Sequence, residues 1–178
     1  MEHYYHTLAG ENWFDYEDVY RDAVIAGEDN DIFVELGSWR GKSAAFMGVE
    51  IINSGKRIFF VCVDNWSQGD TQKDFKEAVA RIEEGVILFV LEGTSWEMAD
   101  QFEDNTIAFC FVDAAHDYVS KTNDIKAWLP KIKKGGMIAG HDYTSVMDGY
   151  NRTYDAVNDT IGKENISVIR NVWIHRKK

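Results

Sequence analysis

One proline, two cysteines and a shortage of basic residues set the first limits on this chain of 178 residues. Nineteen Lys and Arg against thirty Asp and Glu leave a formal charge of −11. A nucleic-acid groove needs clustered cations to displace counterions, so the balance argues against a nucleic-acid partner. Nowhere do roughly 18 apolar residues run together, and the start, MEHYYHTLAGENW, has no apolar core of signal-peptide length. The expectation is a cytoplasmic protein with no membrane partner. Cys62 and Cys110 each sit inside an apolar strand-like run, FFVCVD and AFCFVD. They read as buried free thiols in a reducing compartment. No internal repeat, low-complexity tract or linker breaks the chain, and Pro130 should kink or end the helix it falls in. A single domain of this length buries roughly 70% of its unfolded surface.

What is present is a regular alternation of two periodicities. Tyr16, Val19, Tyr20, Ala23 and Val24 share one helical face, and a strand follows at 31–36, then a helix at 42–53. Next come a strand at 57–63, a helix from about Asp70 with Phe75, Val79 and Ile82 on one side, and a strand at 86–91. Gly93-Thr94-Ser95 opens a short helix, and a strand at 106–112 precedes a helix carrying Tyr118, Thr122, Ile125, Leu129 and Ile132. Gly135-Gly136 supplies a left-handed turn into a strand at 137–140, a helix aligns Tyr150, Tyr154, Val157 and Ile161, and ISVIRNVWIHRKK reads as two short strands. Continuous apolar strands separated by amphipathic helices predict a three-layer α/β structure on a mostly parallel sheet, ending in an antiparallel strand. Ligands in such sheets sit at the carboxyl ends of the strands. That rule selects Glu35 to Gly41, Asp64 to Ser67, Gly93 to Ser95, Asp113 to His116, and His141 to Tyr143.

The stretch DIFVELGSWRGKS, Asp31 to Ser43, admits three readings. A phosphate loop has the form G-x-x-x-x-G-K-S/T, but here only three residues separate Gly37 from Gly41, and Glu35 would place negative charge beside the phosphates. A dinucleotide turn needs G-x-G-x-x-G, which is absent. The third reading is E-x-G-x-x-x-G with an acidic residue, Asp64, ending the next strand. A carboxylate there can accept hydrogen bonds from both ribose hydroxyls, and the ligand needs a nucleoside but no phosphates. S-adenosylmethionine fits.

The ordered set VELGSWRGKS, VDNW, EGTS, VDAAHDY and GGMIAGHDY resembles class I S-adenosylmethionine-dependent methyltransferases, close to a small bacterial and phage group related to sugar and catechol-type O-methyltransferases. The resemblance covers roughly residues 10–176. It implies the Rossmann-like methyltransferase fold in a single domain, 1–178, with 1–28 as an N-terminal lid and helix segment. It also implies that Glu35, Gly37, Ser38 and Gly41 border the methionine part of the cofactor and that Asp64 holds the ribose. Asn65 and Trp66 would then lie beside the adenine, Thr94 and Ser95 near its edge, and Asp113 near the methyl-donor end.

His116 and His141 follow the two central strands, where an acceptor should lie, and either can take a proton near neutral pH. With Asp113 they form the candidate catalytic set. Asp113, His141 and Asp142 together suggest a site for Mg²⁺ or Mn²⁺. The related enzymes tend to carry a carboxylate where this chain has His141, and the sugar enzymes often have Asp where it has Ala115. Amino-methylating enzymes place an N/D-P-P-Y/F segment after the fourth strand, and a chain with one proline has none. The acceptor expected is therefore an oxygen of a small molecule or sugar. A non-catalytic nucleoside-binding or assembly protein is the alternative, and the phosphate-loop NTPase a more distant one. Trp13 and Phe14, in the front segment Gly10 to Phe14, read either as a lid over the site or as core packing for the first helix. Tyr4, Tyr5 and Trp13 could pack internally or across a homo-oligomer. Arg176 to Lys178 would blunt an edge strand.

Overall fold

A computed structural model describes residues 1–11, 13–146 and 149–178. Seven strands form one sheet: β1 (Ile32–Leu36), β2 (Phe59–Asp64), β3 (Ile87–Glu92), β4 (Ile107–Val112), β5 (Ile132–Gly140), β6 (Ser167–Ile169) and β7 (Val172–Arg176). Their order is β3-β2-β1-β4-β5-β7-β6. β1 to β5 pair in parallel, while β7 runs antiparallel to both β5 and β6. The chain leaves β1 in one direction to build β2 and β3, then returns to β1's other side with β4. The crevice of a doubly wound sheet opens at that reversal, above the carboxyl ends of β1 and β4.

Strand periodicity sorts the core into two layers. Phe33 of β1 and Phe109 and Phe111 of β4 face α1 (Glu17–Ala26), α2 (Lys42–Ser54) and α3 (Thr71–Val79). Val34, Leu36, Cys110 and Val112 face α4 (Ser95–Met98), α5 (Tyr118–Trp128) and α6 (Arg152–Ile161). The same alternation carries Glu35 and Asp113 onto the α1 side. Both cysteines are buried free thiols.

Helix boundaries follow local chemistry. Acidic Glu17 and Asp18 in the first turn of α1 complement its dipole. At its other end the Lys56 ammonium donates to the carbonyls of Val24, Ile25 and Gly27 at 2.7, 2.8 and 2.7 Å, filling acceptors the helix leaves open. Asp117 and Asn151 cap α5 and α6 through their side chains. α5 stops at Trp128, and Pro130 lies in the 3₁₀ turn that follows.

Four expectations are corrected. β5 begins at Ile132, so Gly135 (φ +78°) and Gly136 lie inside the strand. The left-handed residue is a bulge beside a register shift with β4, not a turn before the strand. β7 lies between β5 and β6, so Arg176 to Lys178 end an interior strand, which β6 covers only from Val172 to Ile174. Lys177 instead donates to Asn105 Oδ1 at 2.9 Å and the Pro130 carbonyl at 3.0 Å. β3 is an edge strand with Phe89 and Val90 exposed, where the unbroken apolar run had implied cover on both faces. Tyr150 falls outside α6 and is exposed. Among the described residues, no helix is long and apolar enough to cross a membrane.

Candidate active site at the switch in strand order

The Glu35 to Gly41 loop begins where β1 ends. Gly37 has φ +87°, and a Cβ there would lie 2.2 Å from the Asp113 carbonyl oxygen. Gly41 has φ +83°, and its Cβ would meet Ala78 Cβ at 2.9 Å. Both glycines are therefore demanded by close protein packing, Gly37 against the end of β4 and Gly41 against α3. Their role as places of close ligand approach is not needed to explain them.

Asp64, at the end of β2, organises the loop from beneath. Its Oδ2 accepts the Trp39 N–H at 2.7 Å and its Oδ1 accepts the Trp66 N–H at 2.7 Å. Trp39 and Trp66 both adopt positive φ, +44° and +42°, a conformation that costs a bulky residue energy. The Asp64 carboxylate and a bond from Trp66 Nε1 to the Trp39 carbonyl, 3.0 Å, hold them there. Each carboxylate oxygen keeps a lone pair for another donor. The Trp66 ring is buried against Phe75, so it shapes the loop and presents little face to a nucleoside. Asn65 is exposed, and its Oδ1 accepts the Ser67 N–H at 3.1 Å.

Beneath the loop, Glu35 is buried. The Tyr20 hydroxyl donates to its Oε2 at 2.6 Å, while Oε1 and the Ser38 hydroxyl, also buried, have no hydrogen-bond partner among the described residues. Burial pushes the Glu35 carboxyl up to about 7, although the nearby Ser38, Tyr20 and Ser43 hydroxyls favour the ionised form. Thr94 and Ser95 follow β3 at the start of α4. Ser95 is buried, with its hydroxyl bonded to Asp124 and its carbonyl accepting Trp128 Nε1 at 2.9 Å, so it ties α4 to α5. Burial pushes Asp124 up to about 6.

A second cluster is assembled by the ends of β4 and β5. Asp113, His141 and Asp142 each offer one ligand atom, and these atoms lie within 4.8 Å of one another. His116 Nδ1 is 3.0 Å from Asp142 Oδ2. The other oxygen of Asp142 accepts the Ser145 hydroxyl at 2.9 Å. His141 is engaged at both nitrogens, Nε2 at 3.0 Å from Asp15 and Nδ1 at 3.4 Å from Asp142. Burial alone would raise the Asp142 carboxyl; the His116 bond and the two flanking histidines hold it well below the usual carboxylate range. Asp142 in turn raises the His116 imidazole above its ordinary value. Burial raises Asp113, against the opposing pull of His141 and Lys121. A small cleft beside this cluster is lined by His116, Asp142, Ser145, Tyr150, Arg152 and Thr153.

A family model described as "Methyltransferase domain" matches residues 34–143, from β1 to just past β5. The chain belongs to that family. It is an S-adenosylmethionine-dependent methyltransferase, and its sheet, with the antiparallel β7, is the Rossmann-like methyltransferase fold. No curated protein matches this methyltransferase by sequence. Among solved structures it is similar to CalS11, a TDP-rhamnose 3'-O-methyltransferase in calicheamicin biosynthesis, at 16% identity and a TM-score of 0.68, covering 90% of this chain and 76% of that one. It is similar to the O-methyltransferase NovP at 17% identity and a TM-score of 0.63, over 91% and 79% of the two chains. Cofactor-bound Rv0187 from MTB matches at 12% identity and a TM-score of 0.70, over 94% and 81%.

The residues fit the donor. The orphaned Glu35 Oε1 and Ser38 hydroxyl lie under the loop that leads into α2, polar atoms suited to an amino-acid end, and Asp64 sits one strand over with acceptor capacity to spare. Two groups escaped sequence reasoning. Asp15 and Tyr16 come from the segment before α1, and the Tyr16 hydroxyl donates to Asp113 Oδ2 at 3.1 Å. Lys121 is a fully buried lysine on α5 whose ammonium donates to the Val112 carbonyl at 3.3 Å. The spacing of the α5 apolar residues hinted at neither. Lys42, the residue that suggested a phosphate loop, donates to the Gly10 carbonyl at 2.8 Å.

Proposed function

We propose that this methyltransferase acts on a hydroxyl oxygen of a small molecule or sugar, with His116 as general base. The observation that carries the reading is the His116 Nδ1 to Asp142 Oδ2 contact of 3.0 Å. It assigns the Nδ1 proton to Asp142 and leaves Nε2 as the basic nitrogen beside the cleft. His141 has no comparable freedom, since Asp15 and Asp142 flank its two nitrogens. His116 is half exposed at the cleft, where an acceptor can reach it, while the His141 side chain is 12% exposed.

S-adenosylmethionine, when bound, supplies an electrophilic methyl group for in-line displacement. The chain's part is to hold donor and acceptor in line and to remove the acceptor's proton. Asp64 and the loop Glu35 to Gly41 hold the donor in this reading, with Asn65, Thr94, Ser95 and the Asp113 carboxylate around it. Asp113, His141 and Asp142 are also proposed to hold a divalent cation, Mg²⁺ or Mn²⁺. Two carboxylates and an imidazole within 4.8 Å are a suitable donor set. A cation bound there would acidify a coordinated acceptor hydroxyl.

An oxygen acceptor is supported by the absence of an N/D-P-P-Y/F segment, by the charge of −11, and by the similarity to two O-methyltransferases, one of them acting on TDP-rhamnose. We read residues 1–178 as a single domain with 1–28 as its lid and first helix. The test is release of S-adenosylhomocysteine from S-adenosylmethionine against a panel of sugars, nucleotide sugars and phenols. His116→Gln should abolish turnover on the best acceptor while calorimetric affinity for S-adenosylhomocysteine stays within about twofold. Turnover that survives this substitution rejects His116 as base.

A further inference from the structure

The segment Trp13–Tyr16 touches both halves of the site. On the donor side, the Trp13 indole stacks on Trp39 with centroids 4.8 Å apart and planes at 17°. Nearby, Lys42 holds the Gly10 carbonyl, and a Cβ on Gly10 would lie 2.6 Å from Arg40 Cδ, so the chain lies directly on the loop. On the acceptor side, Asp15 Oδ1 is 3.0 Å from His141 Nε2, and the Tyr16 hydroxyl is 3.1 Å from Asp113 Oδ2.

These contacts differ in firmness. Phe14 and Tyr16 are buried, and the Tyr16 ring stacks on Phe111 at 4.3 Å, which fixes where its hydroxyl points. Arg170, in the turn between β6 and β7, donates to the Asp15 carbonyl at 2.8 Å and pairs with Asp18. Trp13 is 64% exposed, so the stack on Trp39 is its main hold. The sequence left open whether these aromatics cover the site or fill the core; Phe14 does the second and Trp13 lies against the donor loop. Asn12 lies outside the described residues.

We propose that Asp15 and Tyr16 are positioning residues for His141 and Asp113, and that the Trp13–Trp39 stack couples their placement to the donor loop. The inference rests on the functional reading above for the roles of Asp113 and His141. Trp39 is the hub: its amide is held by Asp64, its carbonyl by Trp66, and its ring by Trp13. A ligand that settles the Asp64 loop settles Trp39, and through Trp13 the two residues that follow Phe14.

Hydrogen exchange with and without S-adenosylhomocysteine tests this. In the wild type the ligand should slow amides of Trp13–Glu17, and also of 113–117 and 141–146, by about fivefold or more. Trp13→Ala should still bind S-adenosylhomocysteine, within about tenfold, yet lose the slowing at 113–117 and 141–146. Tyr16→Phe keeps the stacked ring and removes only the hydroxyl. It should leave S-adenosylhomocysteine affinity within about twofold, lose the slowing at 113–117, and lower kcat about tenfold with KM for S-adenosylmethionine unchanged. Slowing confined to the donor loop in the wild type, or retained at 113–117 in both variants, overturns the coupling. If the wild type gives no heat with S-adenosylhomocysteine, the donor assignment fails on its own. The positioning role is then decided without ligand, where Tyr16→Phe must speed exchange at 113–117, and unchanged exchange overturns it.

Discussion

Glu35→Gln should stabilise the protein at alkaline pH and do little at acid pH. Glu35 is buried, has one oxygen bonded to the Tyr20 hydroxyl and the other without a partner among the described residues, and its carboxyl is pushed from 4.5 to about 7. The folded state therefore holds this proton more tightly than the unfolded chain does. Its stabilising effect is complete below about pH 4.5 and is lost as pH rises toward and past 7. A tenfold difference in proton affinity corresponds to about 1.4 kcal/mol, so the full cost of ionising Glu35 in place is on the order of 3 kcal/mol. Most of that cost falls between pH 5 and pH 8. Glutamine keeps the shape and an acceptor for Tyr20 but never ionises. Urea unfolding of both proteins at pH 5 and pH 8 should show the variant gaining about 2 to 3 kcal/mol on the wild type across that interval. A difference between the two proteins that does not change with pH would refute the reasoning, because it would mean that the carboxylate is solvated or paired where the structure buries it.

Three further outcomes are expected. Gly37→Ala puts a methyl 2.2 Å from a backbone oxygen at φ +87°, where neither side can yield cheaply, and should cost at least about 3 kcal/mol by thermal or urea unfolding; a loss below about 1 kcal/mol contradicts the packing. Because Asp142 raises the His116 imidazole, the base is fully neutral only well above its ordinary value of 6.5. The rising limb of kcat/KM against pH should therefore lie above 6.5, and a limb below it argues against this dyad. If Asp113, His141 and Asp142 hold a cation, EDTA should suppress turnover and Mg²⁺ or Mn²⁺ restore it, whereas full turnover by dialysed, chelator-treated enzyme removes the metal.

The layer architecture could be read from the chain because each strand and helix carries its own periodicity. Phe33-Val34-Glu35-Leu36 alternates between two buried faces, and Val19, Tyr20, Ala23 and Val24 form a single stripe. The positions of strand ends followed, and with them the meeting of Asp113 with the adjacent pair His141-Asp142, which follow neighbouring strands. What periodicity could not supply was long-range order. It did not say that β7 inserts between β5 and β6, which turned a supposed edge into an interior strand. It did not say that β3 is an edge, since an apolar run looks the same with one neighbour or two. Nor could it bring Asp15 and Tyr16 to the site: their partners lie 126 and 97 residues away, and the helical stripe that includes Tyr16 does not say what its hydroxyl meets. The glycines were recognised as constrained, but the constraint is the protein's own packing, and only the folded arrangement distinguishes a neighbouring strand from a ligand.

The central claim is that the Glu35 to Gly41 loop and Asp64 form the donor site of a methyltransferase. Calorimetric titration with S-adenosylhomocysteine tests it most directly. The wild type should bind one equivalent, and Asp64→Ala, which frees the Trp39 and Trp66 amides and removes the proposed ribose acceptor, should weaken binding at least about tenfold. No heat from the folded wild type, or an affinity unchanged in Asp64→Ala, would contradict it.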